Sequence, residues 1–204
     1  MKNTKTFFFL FSFFSLITLY GQNDLKSGKF NFKADIVSRF IWRGISQSDS
    51  PAIQPNIYYR NKNFEIGYWG SYANTIIEPD QLEFYFDLNG LRLTITDALN
   101  NFEDPLYEPS YDFSFNEFNF FATTFFNTNN LYFSIIKKVN NANLKLAFGK
   151  GDIYTLKGDL SIVEIGLNLT EELIFINDYK INLFCDLIYN PDRRKMFLVL
   201  GVSF

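Results

Sequence analysis

Lys195-Met196-Phe197-Leu198-Val199-Leu200-Gly201-Val202-Ser203-Phe204 reads as a β-strand, and its two faces decide what kind of strand it is. Met196, Leu198, Leu200, Val202 and Phe204 share one side, while Lys195, Phe197, Val199, Gly201 and Ser203 share the other. In a soluble domain the wholly apolar row would face water. In a transmembrane β-barrel the same row faces lipid, and the strand is held by pairing with the first strand of the chain. The expectation is that the other residues supply strands of the same kind.

Composition agrees. The 204 residues suffice for one domain, and 26 Phe and 12 Tyr are far more aromatic residues than a soluble core requires. They suit an apolar outer band with aromatic girdles. The rival classes are an aromatic-rich β-sandwich and a lipocalin-like soluble barrel, which places apolar residues inward. A net charge of -3 gives no reason to expect a nucleic-acid partner. There is no histidine, which removes Ser-His-Asp and Cys-His catalysis and imidazole zinc sites. The single cysteine, Cys185, allows no internal disulfide and no thiolate metal site.

Residues 1–21 are expected to be a cleaved signal peptide. Met1-Lys2-Asn3-Thr4-Lys5 is its basic region, Phe7–Tyr20 its apolar run and Gly21 the small residue at the cut. Gln22–Lys29 reads as a short periplasmic lead, and residues 30–204 as the barrel.

Along the chain, period-two alternation predicts strands at Phe30–Arg43, Ala52–Arg60, Phe64–Ala73, Gln81–Leu88 and Leu91–Thr96. Further strands are predicted at Phe118–Phe126, Leu131–Val139, Asn143–Tyr154, Leu160–Thr170, Tyr179–Tyr189 and Lys195–Phe204. Tight turns such as Asn61-Lys62-Asn63 and Asn89-Gly90 alternate with longer links at 44–51 and 97–108, the pattern of bacterial barrels. Pro55 is expected near a loop end or at a bulge, and Val163 on the outward row. Glu171–Asp178 reads as a periplasmic link. The fold expected is therefore all-β, an antiparallel transmembrane β-barrel of twelve strands if Tyr107–Phe115 is one, with ten as the alternative.

One segment carries a family resemblance. Arg39-Phe40-Ile41-Trp42-Arg43-Gly44-Ile45-Ser46-Gln47-Ser48-Asp49, then Pro51-Ala52-Ile53-Gln54 and later Gly67-Tyr68-Trp69-Gly70-Ser71, resembles the hallmark of the TorF-like porin family, also called Gcw_chp. In that family an Arg-Gly-(Ile/Val)-Ser-Gln-Ser-Asp loop joins the first two strands. The likeness is sharp over residues 34–73 and general elsewhere. It implies an outer-membrane barrel of a diderm bacterium, without assigning it a solute.

The inward rows carry charges of both signs. The lumen and mouth candidates are Lys33, Asp35, Arg39, Arg43, Asp49, Arg60, Glu65, Glu83, Asp87 and Arg92. Arg39, Arg43 and Asp49 could form an ionic cluster at the mouth, or pin the first hairpin. A carboxylate pair such as Glu83 and Asp87 could serve an enzyme in principle, but two inward positions on one strand are what a lumen row gives. Hence no enzyme, metal or cofactor is expected. The function expected is a small porin or channel for small polar solutes. The alternative is a non-conducting barrel that binds or displays through its outer loops. Expected partners are outer-membrane lipid and the barrel-assembly machinery, which recognises closing strands with a terminal aromatic such as Phe204; oligomeric state is left open. Phe204 should lie at the periplasmic rim, with Phe197 and Val199 pointing into a narrow, partly filled lumen.

Overall fold

The computed structural model describes residues 28–73, 80–97, 105–174 and 180–204. The signal peptide placed at 1–21, most of the lead, and residues 74–79, 98–104 and 175–179 of the links lie outside the described residues. The described chain is all β. Its strands are β1 (Lys29–Val37), β2 (Phe40–Trp42), β3 (Ile45–Ser48), β4 (Ala52–Arg60), β5 (Phe64–Ala73), β6 (Gln81–Leu88) and β7 (Leu91–Asp97). They continue with β8 (Leu106–Phe115), β9 (Phe118–Thr124), β10 (Leu131–Val139), β11 (Ala142–Lys150), β12 (Ser161–Ile174), β13 (Lys180–Asn190) and β14 (Lys195–Ser203). Twelve of them, β1 and β4 to β14, form a closed antiparallel barrel, each wall strand beside its chain neighbour. β2 and β3 form a separate two-stranded sheet. β8 is a full wall strand, paired with both β7 and β9, so twelve holds and ten does not.

Asn and Gly make the tight turns because these positions need positive φ. Asn89 and Gly90 sit at 53° and 89°, and Asp87 accepts the Gly90 N–H at 3.1 Å. At Asn61 the side chain instead accepts the N–H groups of Asn63 and Phe64, 2.8 and 2.9 Å away. These turns gather at one end, here the turn end; the longer links make the loop end.

The outer wall is apolar around the barrel: Ile53, Ile66, Phe84, Leu93, Phe113, Phe133, Leu146, Ile165, Leu187 and Leu198 are all exposed. Phe30, Tyr59, Phe64 and Phe86 form a ring-to-ring chain with centroids 5.1–5.9 Å apart across β1, β4, β5 and β6. The alternate rows turn inward. Phe197 and Val199 are buried, with Val37, Ala52 and Ile188, so the inner face of β14 fills the lumen rather than lining a passage.

β14 closes the barrel on β1, over a short seam. Three pairs join them, Asp35↔Ser203, Ile36↔Val202 and Val37↔Gly201. Phe204 extends the ladder, its N–H donating to Ala34 O at 3.0 Å. Gly201 leaves room for the Phe184 ring, which would lie 2.1 Å from a Cβ there. β1 leaves the wall at Ser38, whose N–H still reaches Leu200 O at 2.8 Å. The stagger also leaves Phe30 and Phe32 with β4 alone beside them, and they are 82% and 64% exposed.

Several expectations are corrected. The first wall strand stops at Val37 rather than Arg43, and half of the expected loop 44–51 is strand β3. Alternation continued through Phe40 and Trp42 because that face is half-buried too, in the lumen instead of on the wall. Pro55 does lie near the loop end of β4, as expected, opposite Ala34 and without a bulge; the β4–β5 ladder skips Gln54 and Pro55 and resumes in the same register. Val163 is fully buried, not outward. The register shifts between Ala147 and Phe148, so β12 has one extra residue there and Val163 turns inward beside Glu164. β11 ends at Lys150, and Gly151–Tyr154 is a turn. Glu171–Ile174 continues β12, paired with β13, where a link was expected.

Candidate functional site: a hairpin latched across the lumen

Arg43 and Gly44, with φ of 52° and 78°, make a two-residue turn between Trp42 and Ile45. Only glycine fits at 44. A Cβ there would lie 2.3 Å from the Val163 carbonyl oxygen, because the turn abuts β12. The β2–β3 hairpin therefore crosses the loop-end lumen from the seam to the opposite wall. Asn190, fully buried, donates to Gly44 O at 3.0 Å and ties the tip to the end of β13.

The hairpin's apolar side chains complete two cores. Ile41 packs on Val37, Ala52, Ile188, Phe197 and Val199. Trp42 and Ile45 pack on Phe125, Tyr132, Ala147, Tyr154 and Val163. Trp42 stacks on Tyr154 at 5.6 Å and meets Phe125 at 6.2 Å, while Phe40 meets Trp69 of β5 at 5.5 Å. Full burial of apolar side chains of this size is worth about 1.5–3 kcal/mol each, and these partly buried ones contribute a fraction of that, which favours the seated hairpin.

Arg43 is the latch. Its guanidinium donates to the Tyr154 hydroxyl and pairs with the Glu108 carboxylate of β8. Thr123 Oγ1 donates to the same carboxylate oxygen at 2.8 Å. The guanidinium carbon lies 4.4 Å from the Trp42 ring centroid, and 5.0, 5.4 and 5.8 Å from those of Tyr132, Phe121 and Tyr154. Burial works against its charge, but Glu108, Tyr154 and Tyr132 together outweigh burial and hold the Arg43 pKa above its ordinary value. Burial pushes the Tyr154 phenol up, so it stays protonated.

Below this closure the lumen is polar. Tyr132 donates to Glu164 at 3.0 Å, and Lys145 pairs with Glu164 at 3.0 Å. Asn143 donates to Asn168, which donates to Asp186. Opposite, Glu65 pairs with Arg60 and, at 3.6 Å, with Arg92; Asp87 pairs with Arg92 at 3.3 Å. The two guanidinium groups stack on Tyr58 and Tyr85 at 5.0 and 4.3 Å. Arg60, Glu65, Asp87 and Arg92 border a turn-end cavity of about 470 Å³ that reaches Phe121.

The structure thus brings together Arg60, Glu65, Asp87 and Arg92 of the expected lumen residues. Lys33 stands 5.9 Å over Tyr58, and Asp35 lies opposite Gln54. Glu83 accepts from Gln81 at 2.7 Å and lies within electrostatic reach of Glu108, Arg43 and Arg92. Of the trio expected at the mouth, Arg39 and Asp49 do pair, at 3.5 Å, with Asp49 exposed and Arg39 partly buried. Arg43 does not join them, because the turn carries it into the lumen. Sequence reasoning missed its partners: Glu108 fell where an expected loop and the expected strand Tyr107–Phe115 overlap, and Tyr154 at an expected strand end. The available signal was an Arg-Gly dipeptide between Trp42 and Ile45, the pattern of a hairpin turn with two apolar flanks.

The molecule is thus a twelve-stranded barrel closed at its loop end by its own hairpin. No family model matches the chain, nor does any curated protein or solved structure.

Proposed function

We propose that this chain is an outer-membrane β-barrel that forms a narrow channel for small polar solutes, held shut at the loop end by β2–β3. The apolar outer wall supports the membrane assignment, since exposed apolar area of this extent marks a lipid or partner surface. The likeness of residues 39–54 to the TorF-like hallmark agrees with it, and in this reading the hallmark is the closing hairpin rather than an outer loop. The observation that carries the channel reading is the division of the lumen: a charged cavity from the turn end, then a removable closure built on one hairpin. A barrel filled only by its wall residues would have no such part.

The test replaces residues 40–48 by a short Gly-Ser link and measures planar-bilayer currents. Wild-type protein is expected to hold membranes tight or nearly so, and the replaced barrel to give discrete conductance steps. An inserted, heat-modifiable barrel that stays silent without its hairpin would sink the channel. It would favour the second reading, a non-conducting barrel acting through its outer loops. That reading draws on the filled loop-end lumen and on Phe126, Leu156 and Leu160, which are exposed on the described links there.

A further inference from the structure

The Arg43 guanidinium is held as proteins hold a bound ligand. Glu108 and the Tyr154 hydroxyl take its N–H groups, and the rings of Phe121, Tyr132 and Tyr154 surround it at 5.0–5.8 Å. All four partners come from outside the hairpin: β8, β9, β10 and the link after β11. With the hairpin withdrawn, the wall would retain a carboxylate, a phenol hydroxyl and three ring faces aimed at one point. This combination suits a planar guanidinium, which forks to a carboxylate while stacking on rings; a compact ammonium does only part of this. One ring of the cage, Phe121, also borders the turn-end cavity, whose volume of about 470 Å³ is enough for a small solute.

We propose that the Glu108–Phe121–Tyr132–Tyr154 cage is a binding site for small guanidinium-bearing solutes, with Arg43 as its tethered occupant. Solute and Arg43 compete for one place, so solute binding favours the unlatched hairpin and opens the passage. The opening step rests on the gated-channel reading; the binding site does not. A tethered group acts at an effective concentration of about millimolar or more, so free solute must reach that range to displace it.

The experiment titrates detergent-solubilised wild type and Arg43→Ala with methylguanidinium, and with methylammonium as a control of equal charge. The readout is tryptophan fluorescence, since the two tryptophans, Trp42 and Trp69, both touch the hairpin contacts. Arg43→Ala is expected to bind methylguanidinium saturably, about tenfold or more tighter than wild type, and to prefer it about tenfold over methylammonium. Glu108→Gln should abolish that preference. Equal responses to the two cations, or no saturable response in Arg43→Ala, overturn the inference and leave Arg43 a structural latch. If Arg43→Ala does not fold, the wild-type titration decides alone: a saturable, guanidinium-selective change supports the site and its absence overturns it. Selective binding with a silent hairpin-replaced barrel sinks the channel only. Conductance without selective binding sinks this site only.

Discussion

Arg43→Ala is expected to destabilise the folded barrel by about 3–5 kcal/mol, because it leaves the Glu108 carboxylate buried without its cation. Glu108→Ala should cost a similar amount by stranding the guanidinium among its rings. The double variant should cost much less than the sum, since neither charge then remains unpaired. Urea unfolding of the lipid-inserted barrel, followed by heat-modifiable gel migration, reads all three. Additive losses would mean that the two groups do not act as one latch. Bilayer recordings of the same variants should show openings rare in wild type, because the hairpin is then held only by its apolar packing and the Asn190 hydrogen bond to its tip.

The second large effect lies on the outer wall. Leu146, midway along β11, is exposed between Ile135 of β10 and Ile165 of β12. If this face meets hydrocarbon, Leu146→Arg should destabilise the inserted barrel by about 2–4 kcal/mol. If it meets water, the same change should be nearly neutral, as surface substitutions usually are. The same unfolding assay in lipid vesicles distinguishes these outcomes. It separates the membrane barrel from a lipocalin-like one, where β11 would tolerate a charge on that face.

Much of the wall was legible because most wall strands have two unlike faces; β9 and β10, apolar in part on both, could not be phased by alternation. In β6 the sequence rows place Phe84 and Phe86 outward and Tyr85 inward, and the structure has them exposed and buried accordingly. A single-residue slip would reverse every side chain, so such strands leave little freedom in register. β8 was harder, since it runs out of an Asn- and Pro-rich segment, and Glu108 looks like part of that loop until Thr123 and Arg43 are seen beside it. Val163 was misplaced because an added residue in β12 breaks the period locally, and alternation alone carries no mark of a bulge.

The hairpin was misread for a different reason. Period two from Phe30 to Trp42 records that alternate residues are buried or lipid-facing, not which surface buries them. Ser38 and Arg39 bend the chain off the wall, and nothing in their types separates a bend from a strand continuing beyond the bilayer. The site residues followed the same rule. Arg60, Glu65, Asp87 and Arg92 share one wall and were placed by alternation. Arg43's cage gathers residues up to 111 positions away, a proximity that only the closed barrel creates.

The most direct measurement is a photo-cross-link from the hairpin in the membrane-inserted protein. With p-benzoylphenylalanine in place of Trp42, irradiation and mass spectrometry identify what the ring touches. A seated hairpin should give adducts on Tyr154 and Phe125, whose rings lie 5.6 and 6.2 Å from that of Trp42. Adducts spread over lipid and solvent-exposed links, with none on these two residues, would contradict a barrel closed by its own hairpin.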